Sequence, residues 1–527
     1  MYKFNVKDLH RLKTQEHFHN VVLDETVRQR TRTLKTFKLP NMDPKKNSCK
    51  DTNEKNKKLT STQYLFYETV KKMKEPSVHR GLIGWLSTGS GKTTIASGII
   101  NAFADTERTV YYISKHDALK PHVEFEKVLE EMYDTKIEKL KEKLKIMSIA
   151  SFANRLVKKD INLSKAVIII DEAQYLFAQR AVPQFRDKHR YVIKTLLGAE
   201  ALKSYVFILT ATPGDDVDEC LTLINIVRRQ DEELCTFNTH TKHLLGKLFY
   251  LNMSKDLSIF PKLTALSSNH PLTEKIHLGR YMEKLKASKG TMNDVKTLQK
   301  WSNNLFKSDN FSEKIQGIFA LIKKHPGKHY IYSQYGKQGI SDLAKYLEKM
   351  GYKKASKTNM NKETKKYILA KASDKFNTSV ENNPVMKKFN SLENMNGSNI
   401  ELFLATDSYN TGIDLKDVRH VHFMEPSISH TDVIQGIGRG VRMCSHAHLP
   451  KKDWKVTVHT HFSVPKLKSD SIDRTVNENS ISKYNVLNVL LMNLKRYALD
   501  CKALNKFHGG DFKCANITVS RREPFRH

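Results

Sequence analysis

The stretch "LSTGSGKTT", Leu86 to Thr94, decides how the rest of this chain is read. It follows the apolar run "LIGWL" and opens the helical pattern "TTIASGIINAFAD". A glycine-bearing turn between a strand and a helix lets several backbone N–H groups converge on one phosphate at the positive end of the helix. Gly89 and Gly91 supply the curl, Lys92 is placed to neutralise β and γ oxygens, and the Thr93 hydroxyl to ligate Mg2+. Leu86 stands where the strict pattern has glycine, so a fortuitous glycine turn competes until a second half of a nucleotide site is found.

That second half lies in "AVIIIDEAQ", residues 166 to 174. An apolar strand ends there in two carboxylates. Asp171 is suited to hold Mg2+ through water and Glu172 to polarise an attacking water. A solvated acidic turn would look the same in isolation, but both halves of one ATP site occur here in the right order. "FILTATPGD", residues 207 to 215, adds a third strand end, where Thr210 and Thr212 can relay the state of the γ-phosphate.

Working outward, helical patterns alternate with the short apolar runs "LIGWL", "TVYYIS", "KIMSIA", "AVIIID" and "YVFILT". A second series follows near 311, with strands "HYIYS", "IELFLAT" and "HVHFM". Such alternation predicts two α/β domains, each a mostly parallel sheet covered by helices. The divisions read as a basic polar extension (1–58), a first domain (59–235), a connector or insertion (236–310), a second domain (311–465) and a C-terminal helical extension (466–527). Residues 356 to 398, rich in Lys, Asn, Ser and Thr, read as a surface excursion.

"QGIGRGVRMCSHAHLP", residues 435 to 450, admits two chemistries. Cys444, His446 and His448 suggest half a metal centre, yet a fourth ligand at zinc spacing is missing, so no structural zinc is expected. Gln435, Arg439 and Arg442 instead place two guanidiniums a turn apart, on one face if the segment is helical. Arg442 then serves as a finger to the γ-phosphate, with Arg439 in support.

Lysine plus arginine outnumber aspartate plus glutamate by 89 to 56, a formal charge of +33. That suits a polyanionic partner such as nucleic acid, although the abundance of Lys, Asn and Ile is also what an AT-rich genome produces. Six cysteines without a CxxC pair read as free thiols in a reducing compartment. "MYKFNVKDLH" lacks the apolar core of a signal peptide and no apolar run reaches bilayer length, so an intracellular protein without a membrane partner is expected.

With these residues in hand, the chain resembles a superfamily 2 helicase or translocase core with two RecA-like domains. Gln63 resembles the adenine-reading glutamine; Leu86, Ser87, Thr88, Gly89, Ser90, Gly91, Lys92 and Thr93, with Thr94 behind them, resemble motif I. Asp171-Glu172-Ala173-Gln174 resembles motif II, Thr210-Ala211-Thr212 motif III, "HYIYSQYG" motif IV, "ATDSYNTGIDL" motif V and "QGIGRGVR" motif VI. The resemblance implies nucleotide contacts at Gly412 and Asp414, and coupling through Gln174, Thr210 and Thr212. It also implies ATP and Mg2+ as cofactors. Gln174 departs from the usual histidine or aspartate, but its amide can still bridge motifs II and III. Lys115, after "TVYYIS", and Ser333, after "HYIYS", are the candidate nucleic-acid contacts.

"RMCSHAHLP" and "LKRYALDCKALN" resemble the nucleoside triphosphatase I and early transcription factor small subunit group of poxviruses, with relatives in other large cytoplasmic DNA viruses and cytoplasmic linear plasmids. That narrower likeness implies DNA-stimulated ATP hydrolysis in viral or plasmid transcription, in the host cytoplasm or virion, beside an RNA polymerase or transcription factor. A strand-separating helicase on DNA or RNA and a non-catalytic transcription scaffold are the competing readings.

Overall fold

The computed structural model describes residues 59, 61–73, 80–115, 120–140, 142–177, 183–228, 232–236, 243–244, 247–251, 260–272, 281, 283–284, 288, 291–304, 311–360, 364–371, 383–406, 413–465, 471–501 and 513–515. The extension 1–58 and Gly412 lie outside them. The chain divides into two compact units, Met1–Ser258 with Lys483–His527, and Ile259–Ser482.

In the first unit α1 (Ser61–Lys72), β1 (Gly81–Leu86), α2 (Lys92–Ala102), β2 (Thr109–Ser114), α3 (Lys120–Tyr133), β3 (Leu144–Ser148), α4 (Ile149–Val157), β4 (Ala166–Asp171), α5 (Arg186–Leu197), β5 (Tyr205–Thr210), α6 (Val217–Ile226) and β6 (Leu248–Leu251) follow in turn. The strands form one parallel sheet in the order β3-β2-β4-β5-β1-β6. Parallel neighbours need long crossovers, and the helices supply them while covering both faces. Alternate residues of β4 therefore enter different cores. Val167 and Ile169 pack with Phe66, Ile99 and Leu129 of α1 to α3. Ile168 and Ile170 pack with Phe152, Val192 and Leu223 of α4 to α6. Ile168 and Ile169 are fully buried, and truncating either to alanine costs about 2–5 kcal/mol. The order β4-β5-β1 sets the exits of those strands side by side, which is where a parallel sheet presents its site.

The second unit runs through β7 (Lys262–Leu272), α7 (Met292–Asn303), α8 (Glu313–Lys324), β8 (Lys328–Tyr332), α9 (Ser341–Lys349), β9 (Lys353–Lys354), β10 (Lys366–Ala370), α10 (Pro384–Phe389), β11 (Ile400–Ala405), β12 (Val418–Phe423), α11 (His430–Gly440) and β13 (Lys455–Pro465). Its sheet is also parallel, in the order β7-β13-β12-β8-β11-β10-β9. Ile318 of α8 and Leu343 and Leu347 of α9 pack on Ile331, Leu402 and Leu404 of the central strands.

Both units thus have the two-sided parallel sheets that the alternating pattern predicts. The stretch read as a connector, 236–310, gives β6 to the first sheet and β7 to the second. Within 356–398, read as a surface excursion, β10 is buried along its whole length and paired with β11. Five residues between lysine-rich segments are too few to display a period. The final helix, α12 (Ile472–Tyr497), starts ahead of the pattern that announced it, and Leu487, Leu490, Leu491 and Leu494 join the core of the first unit.

The cysteine reading needs correction. Cys501 and Cys514 form a disulfide and Cys444 is also disulfide-bonded, while Cys220 and Cys235 are free and buried. The chain turns back after α12, with Ala515 N–H bonded to Arg496 O at 3.0 Å, and this return brings together two cysteines 13 residues apart. No linear spacing rule registers such a pairing.

One polar seam crosses the second sheet. His270 Nε2 lies 2.9 Å from His461 Nδ1, His461 Nε2 3.1 Å from His422 Nδ1, and His422 Nε2 2.9 Å from His329 Nδ1. His329 Nε2 then meets the carbonyl oxygen of His325 at 2.9 Å. Four neighbouring strands, β7, β13, β12 and β8, each contribute one ring, and burial holds all four below the ordinary histidine range.

Candidate active site

The loop after β1 curls through left-handed glycines, φ 74° at Gly89 and 83° at Gly91. Ser87 N–H bonds Leu251 O of β6 at 3.2 Å, and Ser87 O accepts from Ser90 N–H at 3.2 Å and from Ser90 Oγ at 2.7 Å. Leu86 is the buried last residue of β1, so the departure from glycine falls on the strand, ahead of the curl. Gln63, buried on α1, donates to Ser90 O at 3.2 Å. A Cβ at Gly91 would stand 2.5 Å from Gln63 Nε2 and displace the end of that side chain, and the φ of 83° itself favours glycine. Lys92, Thr93 and Thr94 form the first turn of α2, with Gly91 at its N-cap.

The acidic strand end meets this loop. Lys92 Nζ is ion-paired with Glu172 Oε1. Glu172 has φ 52°, an unusual backbone state for a non-glycine residue and a frequent mark of functional positions. Gln174 Nε2 donates to Glu172 Oε2 at 2.8 Å, and Thr210 Oγ1 lies 2.7 Å from Gln174 Oε1. Thr212 N–H donates to Thr210 Oγ1 at 3.1 Å. Motifs I, II and III are therefore joined by side chains on the exits of β1, β4 and β5.

Tyr112 on β2 donates to Asp171 Oδ2 at 2.7 Å, while Asp171 Oδ1 is buried without a hydrogen-bond partner among the described residues. Burial pushes the Asp171 carboxyl above the usual carboxylate range, with Lys92 opposing it. An enclosed hard oxygen beside the first turn of α2 fits Mg2+, which takes few protein oxygens and retains water. Tyr112 escaped sequence reading because its strand looked like sheet wall; its place in β2, next to β4, is the only signal.

In the second unit α11 ends at Gly440, so Arg439 is helical and Arg442 lies beyond the helix. The two guanidiniums therefore do not share one helical face, because the helix stops before Arg442. Yet both guanidiniums reach the same motif V carbonyl: Arg439 donates to Ile413 O at 3.1 Å and Arg442 at 2.9 Å. Arg442 Nε also donates to Gly438 O at 2.9 Å and lies 3.7 Å from Asp414 Oδ1. Gln435 is buried within α11. His446 uses both ring nitrogens on protein groups, Ser445 Oγ and Val418 O, each at 2.9 Å, and His448 Nδ1 meets Asp417 at 2.8 Å.

Lys115 Nζ sits 4.2 Å from the Tyr175 ring centroid. Ser333 is not the exposed loop residue expected. It is fully buried and its hydroxyl lies 3.0 Å from both oxygens of Glu425, whose carboxyl burial pushes up to about 7. A side chain committed in this way has no face for nucleic acid.

Two parallel α/β units, one with a phosphate loop joined to a DEAQ tetrad, the other with paired arginines on motif V, define the superfamily 2 helicase and translocase class, and the chain belongs to it. Residues 56–215 match the family model described as type III restriction enzyme, res subunit, and residues 313–444 the helicase conserved C-terminal domain. Among curated proteins, the chain is 25% identical over 423 residues to the "Uncharacterized killer plasmid pGKL-2 helicase" of Kluyveromyces lactis, covering 77% of this chain and 66% of that protein. It is 23% identical to a protein of Acanthamoeba polyphaga mimivirus that carries an ATP-dependent RNA helicase designation, over 79% of this chain and 93% of that one. It is 26% identical to the "Termination factor NPH-I homolog" of African swine fever virus, over 37% of this chain and 33% of the relative. These relatives place it in the group of NPH-I and plasmid helicases. Among the described residues no helix is long and apolar enough to cross a membrane.

Proposed function

We propose that the chain is a DNA-dependent ATPase that uses ATP hydrolysis by its two RecA-like domains to translocate on or remodel DNA in viral or plasmid transcription. The observation that carries this is the continuous link from Lys92 through Glu172 and Gln174 to Thr210. It ties the phosphate loop to motif III, the segment through which nucleic acid is coupled to turnover in this class. Lys92 exchanges Glu172 for the β and γ oxygens of ATP, and Glu172 then orients the attacking water. Asp171 and Thr93 would hold Mg2+, which would supply positive charge against the phosphates. Arg439 and Arg442 stabilise the charge developing on the transferred phosphoryl group, while Gln63, Gly412 and Asp414 complete the nucleotide contacts.

Nucleic acid lies mainly against phosphate-binding side chains, Lys115 among them, as a charge of +33 favours. The names of the relatives point both ways, a termination factor homolog and an RNA helicase. DNA is the preferred partner here because "RMCSHAHLP", directly after motif VI, resembles the nucleoside triphosphatase I group. ATP hydrolysis measured with single-stranded DNA, duplex DNA and RNA, beside a strand-displacement assay, tests the reading. Stimulation by duplex DNA without displacement supports it; stimulation by RNA alone, or displacement of a strand, favours the helicase reading. Absence of ATP hydrolysis leaves only a scaffold.

A further inference from the structure

Arg442 stands two residues past the end of α11, so the helix does not hold its backbone. What holds it is a tight return. Ser445 N–H bonds Arg442 O at 3.1 Å, Cys444 takes φ 57°, and Arg442 N–H donates to Ser445 Oγ at 3.3 Å. Ser445 Oγ also lies 2.9 Å from His446 Nδ1 and 3.3 Å from Gly440 O.

The state of His446 decides what the serine can do. His446 Nε2 is 2.9 Å from Val418 O, and a carbonyl only accepts, so Nε2 carries the proton. A neutral ring then has a bare Nδ1, which takes the Ser445 hydroxyl proton and leaves the Oγ lone pairs for Arg442 N–H. Burial pushes His446 down to about 4, so the neutral ring persists at physiological pH. Val418 opens β12, an interior strand of the sheet, and Asp417 N–H bonds Ser445 O at 2.8 Å beside it. The hydrogen-bond chain from Val418 through His446 and Ser445 to Arg442 thus starts on an interior strand of the sheet.

We propose that Ser445 and His446 are positioning residues for the Arg442 finger, setting its backbone so that the guanidinium is aimed from motif V toward the γ-phosphate. This rests on the arginine assignment made under the proposed function. It gives the "CSHAH" segment, whose residues suggested half a metal site, a place in the reaction.

The test is a double-mutant cycle on the full chain, read as kcat and KM of DNA-stimulated ATP hydrolysis, with melting followed alongside. Ser445→Ala should lower kcat about ten- to a hundredfold with KM for ATP unchanged, the scale of a misplaced catalytic group. Ser445→Thr, which retains the hydroxyl, and His446→Asn, which retains an acceptor at the δ position, should stay near wild type, whereas His446→Leu should follow Ser445→Ala. In an Arg442→Ala background, Ser445→Ala should cause no further loss, since a residue acting through Arg442 has nothing left to aim. Equal losses in both backgrounds, or wild-type kcat in Ser445→Ala while Arg442→Ala is impaired, overturn the positioning role alone. Wild-type turnover in Arg442→Ala overturns the arginine assignment and this inference with it.

Discussion

Thr210 and Gln174 are both fully buried, and their side chains meet at 2.7 Å. Gln174 spends its other amide atom on Glu172, so a movement of the Glu172 carboxylate is felt at motif III through one rigid planar group. Gln174→Ala is expected to keep ATP affinity within a few-fold but to lose most of the stimulation by nucleic acid. Thr210 keeps its bonds to Thr212, so the loss of the buried amide costs only about 0.5–1.5 kcal/mol of stability. Nucleotide titration beside ATPase assays with and without DNA checks this; undiminished stimulation would remove Gln174 from the coupling path.

Glu172→Gln removes the charge that faces Lys92 while retaining the shape of the side chain. Turnover should fall about 10²–10⁴-fold, the usual contribution of a general base. ATP binding should persist or tighten, because Lys92 no longer has an anionic competitor. A rate unchanged from wild type would exclude Glu172 from orienting water.

Gly91→Ala places a Cβ against Gln63 at a left-handed φ. The backbone term alone is about 1–3 kcal/mol. Loss of nucleotide binding with a lowered melting temperature is expected, and Gln63→Ala in the same chain should relieve the crowding without relieving the φ. Full ATP affinity in the single variant would show that the loop tolerates another curl.

Lys115 and Ser333 should now behave differently. Lys115→Ala is expected to reduce the dependence of log K on log salt by about one, as removal of a phosphate contact does. Ser333→Ala should leave the affinity for DNA and its salt slope unchanged and lower stability by about 1–3 kcal/mol through Glu425. Salt titrations of DNA binding, with urea unfolding, separate the two; a weakened DNA complex in Ser333→Ala at full stability would reverse the reassignment.

The second unit should be acid-sensitive. His329, His422 and His461 are held well below the ordinary value of 6.5, His270 and His459 at about 4 and His420 at about 3, all chiefly by burial. The fold therefore binds fewer protons than the unfolded chain below about pH 6.5. Stability is complete above that pH and falls as pH drops toward the folded values, by up to about 1.4 kcal/mol per pH unit for each ring. Glu425, pushed up to about 7, acts in the opposite sense over about pH 4.5 to 7, one carboxyl against those six imidazoles. Urea unfolding midpoints between pH 8 and 5 should fall steeply below 6.5; a flat profile would contradict the buried neutral rings.

The phosphate loop, the DEAQ strand and the two series of strands were legible because each is a local pattern of a few consecutive residues. What stayed hidden depends on distant partners. β13 carries Thr457, His459, His461 and Ser463 at alternate positions, which reads as a solvated face until imidazoles from β7 and β12 are beside them. Ser333 looked like a loop residue because Glu425, 92 positions later, is what encloses its hydroxyl. Whether Arg442 is helical stayed open because a glycine-rich run through Gly440 does not announce its last turn. Ile413 O, where both arginines converge, is a backbone atom, and no side-chain motif can display it.

The imidazole seam has a direction. The His325 carbonyl accepts only, so it requires a proton on His329 Nε2; the bare Nδ1 of that ring requires one on His422 Nε2, and the same logic passes through His461 to His270. A single oxygen at one border of four strands thereby dictates the tautomer of a ring at the other border. Reversing any one inner ring would break its bonds to both neighbours and oblige every other ring to reverse as well, so the row can switch only as a block.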